Sequence, residues 1–149
     1  MRFIAVCCTI AVLLTSCSNV EEADHFRLRA ITMPDGTTIY AEMAIEYVEL
    51  VRGLMFRDAV AKDRGMLFLH NKTGRYPYWM FQVRIPLDII WLDSKKNIVE
   101  VVANAPPCPN AKSSECPTFG GTQDAQFVLE VAAGGAARMG AIVGSKIDF

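Results

Sequence analysis

The stretch that constrains this chain most is Leu87-Asp88-Ile89-Ile90-Trp91-Leu92, followed by Asp93-Ser94-Lys95-Lys96-Asn97 and then Ile98-Val99-Glu100-Val101-Val102. Two apolar runs rich in β-branched residues around a polar turn predict a β-hairpin. The first run also carries a problem, because a single carboxylate inside an apolar strand is costly unless it finds a partner. Asp88 is therefore marked out before any other residue.

The pattern recurs along the chain. Phe26 to Ile31 alternates apolar with charged residues, Pro34-Asp35-Gly36 supplies turn chemistry, and Ile39 to Met43 alternates again, which predicts a second hairpin. Ile45, Val48 and Val51 fall three apart, so a short helix is expected over 44–53, with Gly53 placed to stop it. Met66 to Leu69 reads as a buried strand and Asn71 to Gly74 as a turn, while Pro77 makes the strand at Tyr76 to Met80 irregular or edge-like. A long loop over 104–124 precedes a strand at Gln126 to Val131, a helical turn at Gly134 to Met139 and a last strand at Val143 to Phe149. The expected fold is mainly β: a compact single-domain sandwich or partly closed barrel of about eight short strands with one or two short helices, not a parallel α/β sheet.

The N-terminus reads as an address. Met1-Arg2 precedes an apolar run from Phe3 to Leu14, the shape of a secretory signal. Leu14-Thr15-Ser16-Cys17 resembles a bacterial lipobox, in which small residues precede the cut and the cysteine thiol receives the lipid. The expected layout is a signal peptide over 1–16, a lipidated Cys17 with an acidic tether to residue 25, and one β-rich domain over 26–149. Several acyl chains on one cysteine hold a protein firmly at a bilayer. The expected location is thus a membrane-anchored lipoprotein facing the periplasm or cell exterior. Ser18 favours the outer membrane, since an Asp there resembles an inner-membrane retention signal.

Of the five cysteines, Cys7 and Cys8 fall in the signal and Cys17 at the lipid site, leaving Cys108 and Cys116. Export to an oxidising compartment makes these two a candidate disulfide, which would fix a proline-rich surface loop. A metal pair or redox dithiol lacks the usual two-residue gap and nearby His. The 15 Lys and Arg balance 16 Asp and Glu, for a net charge of −1, so there is no basic excess to hold a nucleic acid. No apolar stretch reaches the ~18 residues of a spanning helix.

Arg52-Gly53-Leu54-Met55-Phe56-Arg57, Gly65-Met66-Leu67-Phe68, Trp79-Met80 and Ile85-Pro86-Leu87-Asp88-Ile89-Ile90-Trp91-Leu92-Asp93 together resemble the signature of the domain of unknown function 192 family. Pro106-Pro107-Cys108 with Cys116-Pro117 is similar to its cysteine loop, and Val128-Leu129-Glu130 to Gly134 with Gly140 to Gly144 to its closing segment. The resemblance runs from about Thr37 to the C-terminus. It implies a compact, mainly β, often exported domain and no established activity. Where the family usually has a Lys-Asn-Thr-like triplet after Trp-Met, this chain has Phe81-Gln82-Val83, which makes any site there more apolar.

The candidate ligand-binding residues are Arg52, Arg57, Trp79 and Asp88. Two guanidinium groups bracketing Gly-Leu-Met could grip an anionic or polar ligand bidentately, with Trp79 as an apolar or sugar-stacking wall. The plainer reading is an internal Asp88–Arg pair fixing helix to sheet. Met55, Met66 and Met80 offer soft ligands for Cu(I), yet methionines in apolar runs are more often core filler. Asp88 with Asp93 or Glu100 could form an acid/base pair, though strand spacing alone does not bring them together. His70 reads as a strand-end residue. No catalytic constellation or metal cluster is visible, and no cofactor is expected. The leading reading is a membrane-tethered envelope domain binding an unknown ligand or protein partner. The rivals are a hydrolase acting on envelope carbohydrate or peptide through Asp88 and Arg52, and a purely structural envelope protein.

Overall fold

The structure, a computed structural model, describes residues 28–109 and 112–149. The signal over 1–16, the lipidated Cys17 and the tether to residue 25 lie outside the described residues. Six strands form one mixed sheet: β1 (Leu28–Thr32), β2 (Thr38–Ala44), β3 (Arg64–Gly74), β8 (Ala125–Ala132), β5 (Leu87–Leu92) and β6 (Ile98–Ala105), adjacent in that order. A small second sheet pairs β4 (Tyr78–Trp79) with β7 (Thr118–Phe119). Two short helices complete the fold, α1 (Tyr47–Arg52) and α2 (Gly135–Arg138). The domain is thus mainly β, with an open sheet and not a closed barrel.

Both expected hairpins form, β1–β2 and β5–β6. The parallel strands β2 and β3 are joined through α1. Sheet burial is two-sided. On one face Ile31, Ile39, Leu67, Ile90, Leu129 and Val131 pack with Ala136, Met139 and Ile147 from α2 and the C-terminal segment. On the other, Met66, Phe68, Ile89, Trp91 and Val128 pack with Leu54, Met80 and Val83 from the loops that follow α1 and β4. Strands covered on both faces lose the polar alternation of half-exposed ones, which is why β5 is apolar almost throughout.

Three sequence expectations change. The expected turn at Asn71 to Gly74 is the far end of β3, reached through a register shift after Leu69; Tyr76 ties it down by donating its hydroxyl to the Lys72 carbonyl at 2.6 Å. The expected last strand over 143–149 is an irregular segment with isolated bridges Asn97↔Lys146 and Thr32↔Asp148, held by the fully buried Ile147. In its place β7 lies inside the long cysteine loop, where two residues pair with β4 too briefly to leave a periodic signal. Helix α1 forms where expected, but Val48 (69% exposed) and Val51 (41%) face outward. With so few turns, the loop anchored by buried Leu54 decides which side faces the sheet.

Candidate binding cleft

The cleft begins at the end of α1. Glu49 accepts the backbone N–H groups of Ile45 (2.8 Å) and Glu46 (2.9 Å), satisfying donors at the helix start. At the other end Gly53 takes φ +45°, and a Cβ there would stand 3.2 Å from the Phe68 ring. The chain then folds tightly: Met55 N–H donates to the Arg52 carbonyl at 3.0 Å and Phe56 N–H to the Gln82 carbonyl at 2.8 Å. Phe56 (φ +65°) and Gln82 (φ +57°) are both left-handed, so the loop and the Phe81-Gln82-Val83 triplet meet at two conformationally demanding positions.

This loop walls a cleft of about 610 Å³. Arg52, Arg57 and Arg64 line it with Glu42, and Leu54, Met55, Phe56 and Val60 give it an apolar side. Arg57 grips Glu42 through both guanidinium nitrogens at 2.5 Å each. Arg64 lies over the Tyr40 ring, 5.6 Å from its centroid. Arg52 is exposed and pairs with no carboxylate among the described residues. Three cations to one carboxylate leave the cleft net positive, suited to an anionic group held by guanidinium forks.

Behind the same loop is a second, much smaller cavity of about 20 Å³. Arg52, Gly53, Leu54 and Met55 line both spaces. Tyr78, Trp79, Phe81, Phe68 and Val83 add an aromatic and apolar lining, and Glu130 completes it. Trp79 and Phe81 stand 5.4 Å apart, centroid to centroid. The Phe81-Gln82-Val83 departure from the family pattern thus contributes two apolar residues to this wall. Glu130 is 4% exposed and its Oε2 has no hydrogen-bond partner among the described residues. Burial alone pushes its carboxyl up to about 8, so it is protonated at neutral pH.

The candidate residues therefore separate. Arg52 and Arg57 share the large cleft, and Arg52 and Trp79 share the small cavity. Asp88 joins neither. The Asp88–Arg pair anticipated from sequence does not form: Asp88 lies 1% exposed on the opposite sheet face, and its two oxygens accept backbone N–H groups from Asn104 (2.8 Å) and Ala136 (2.9 Å). Backbone donors at the β6 end and the start of α2 satisfy it, so no cation is needed. Asp93 accepts N–H groups of Lys95 and Asn97 in the hairpin turn, and Glu100 accepts that of Thr122, so these carboxylates do not converge with Asp88. Met55, Met66 and Met80 belong to one apolar cluster. His70 stacks on Tyr76 with centroids 3.6 Å apart and meets the Tyr78 hydroxyl at 3.2 Å; partial burial lowers its pKa.

Sequence reasoning passed over Glu130 as a site residue, although the signal was there. It is a lone carboxylate in Phe127-Val128-Leu129-Glu130-Val131, the same anomaly that singled out Asp88.

Cys108 and Cys116 face each other with Cα atoms 6.1 Å apart, a separation that a disulfide spans. The loop they close is tied to the cavity wall: Gln82 N–H donates to the Cys108 carbonyl at 3.0 Å, and Cys108 N–H to the Met80 carbonyl at 3.2 Å.

Two solved structures are similar to this chain. One is a protein of unknown function from Novosphingobium aromaticivorans, 28% identical, with a TM-score of 0.74 over 87% of this chain and 91% of that one. The other, from Sinorhizobium meliloti, is described as a candidate transcription regulator; it is 28% identical, with a TM-score of 0.67 over 80% of this chain and 89% of that one. The model of the domain of unknown function 192 family (DUF192, uncharacterized ACR) matches residues 30–149, and the chain belongs to that family.

Proposed function

Taking this membership as the premise, we propose that the protein is an envelope-facing binding domain that holds an anionic ligand in the arginine cleft. One observation carries the reading: Arg52 is exposed on a concave surface where three guanidinium groups meet one carboxylate. A bidentate arginine contact to a carboxylate or phosphate is among the stronger polar interactions. Arg57, already locked to Glu42, holds the loop in shape, while Arg52 is the group that engages the ligand. The lipobox-like Leu14-Thr15-Ser16-Cys17 supports export and tethering through an acylated Cys17, which sets the domain beside the bilayer. An even pair of cysteines at bonding separation fits an oxidising compartment.

Calorimetric titration of the full-length protein in detergent with glutarate and with inorganic phosphate tests the binding reading. Saturable binding of either is expected, weakened about tenfold or more in Arg52→Ala with an unchanged melting temperature. Equal affinity in the variant overturns it. Mass spectrometry of the product from an exporting host tests the anchor: a diacylated N-terminal Cys17 is expected, and a retained Met1 overturns it.

A further inference from the structure

Arg52 lines both the large cleft and the small cavity, and the small cavity is also lined by Glu130, whose buried Oε2 has no hydrogen-bond partner among the described residues. Glu130 sits in a cross-strand row on one sheet face that reads Glu42, Met66, Glu130, Ile89. Its strand neighbours are apolar, and the cavity it closes is lined by Leu50, Leu54, Phe68 and Val83. Besides Glu130, the titratable groups lining this cavity are Arg52 and Tyr78. Tyr78 directs its hydroxyl to His70. Burying a carboxyl without a partner costs about 1–3 kcal/mol, so a fold that keeps one has it available for something that is not protein.

The space is about 20 Å³, above the ~10–15 Å³ that one water-sized group occupies. An ammonium group is water-sized, donates hydrogen bonds only, and suits an acceptor enclosed by aromatic rings. Trp79 is the exposed aromatic residue of the lining, Tyr78 and Phe81 are half-exposed, and Arg52 is its exposed cation. A bare cation would meet Arg52 as a repulsion, whereas a ligand carrying its own carboxylate would meet it as a partner.

We infer that the Glu130 cavity is an ammonium subsite, and that the ligand is a zwitterionic, amino-acid-type molecule with its ammonium on Glu130 and its carboxylate on Arg52. The inference rests on the arginine cleft being an anion site and names the class of ligand it takes. The remainder of the ligand extends into the 610 Å³ cleft, which shares the loop from Arg52 to Met55. Charge balance fixes a signature. At neutral pH Glu130 is protonated, so binding of the ammonium form transfers the carboxyl proton to solvent, leaving a carboxylate against R–NH3⁺. Binding therefore releases protons and tightens as pH rises towards about 8.

The test pairs acetate with glycine, propionate with β-alanine and butyrate with 4-aminobutyrate, titrated into full-length protein by calorimetry in two buffers of different ionisation enthalpy. At least one amino compound is expected to bind about tenfold tighter than its partner, with net proton release near pH 7. Glu130→Gln, nearly isosteric with the protonated acid, is expected to abolish both the gain and the proton release while leaving the plain carboxylates unaffected. Carboxylates that bind while the amine adds nothing, or a gain that survives in Glu130→Gln, overturn the subsite and leave the arginine cleft standing. Failure of every plain carboxylate overturns the cleft reading; amino compounds that still bind with Glu130-dependent proton release keep the subsite, and amino compounds that also fail overturn it. Tighter binding at low pH, marking Glu130 as a hydrogen-bond donor, also overturns the inference.

Discussion

Glu42 and Glu130 flank the same residue, Met66, on one face of the sheet, yet only Glu42 has an arginine. Glu42 lies near the sheet edge, where the loop after α1 brings Arg57 to it. Glu130 is two strands further in, under the aromatic wall, where no cation pairs with it among the described residues.

That difference sets a pH dependence. Glu130 has its folded-state value raised from 4.5 to about 8 by burial. Between those values the unfolded chain gives up the proton and the folded chain keeps it, so stability falls as pH rises from about 4.5 to about 8 and levels off above. His70, lowered by burial, acts oppositely: its share is complete above 6.5 and lost as pH falls. Melting curves across this range are expected to show a decline above pH 6.5 that Glu130→Gln flattens. Glu130→Met is expected to raise stability at pH 8, by about 1–3 kcal/mol, because it removes an unpartnered buried polar group. A wild-type melting temperature unchanged between pH 6.5 and 8 would refute this.

Asp88 is a structural residue of the opposite face. Asp88→Ala orphans the N–H groups of Asn104 and Ala136, the second of them buried, and is expected to cost about 2–4 kcal/mol in denaturant unfolding. The affinity of the folded variant for glutarate should equal that of the wild type. Reduced affinity at full occupancy of the fold would instead connect Asp88 to the cleft.

The aromatic wall depends on close backbone approach. At Gly120, with φ +56°, a Cβ would stand 2.4 Å from the Trp91 ring. Gly120→Ala is expected to destabilise by more than about 2 kcal/mol and to change Trp91 fluorescence. A substitution tolerated within 0.5 kcal/mol (roughly the scatter of neutral surface changes) would contradict this packing.

Cys108→Ser with Cys116→Ser reports on the loop. A disulfide over so short a loop is worth roughly 2–3 kcal/mol in the chain-entropy model. Loss of that amount is expected, together with weaker ligand binding, since the Cys108 backbone braces Met80 and Gln82. Two free thiols titrating in the unreduced native protein would exclude the bond.

What was legible beforehand follows from what is local. Hairpins β1–β2 and β5–β6 rest on turn chemistry and strand periodicity held within a few residues, and both are readable by eye. Helix α1 and its Gly53 stop are local too. Strand β7 is two residues long and exists only because β4 lies beside it, so its own residues carry no sign of it. The arginines were recognised by type and spacing, whereas their partner was misassigned: charge inside an apolar strand demands satisfaction but does not say by whom. Asp88 met backbone N–H groups from residues 16 and 48 positions away.

By itself the sequence determined the two hairpins, the short helix with its Gly53 stop, the charge balance and the family, because each is written in neighbouring residues or in composition. Tertiary structure alone decided which carboxylates were satisfied, which face α1 turned outward, and that Arg52 would border both the large cleft and the Glu130 cavity. Those outcomes depend on which distant segments a sheet face receives, and side-chain period cannot specify them.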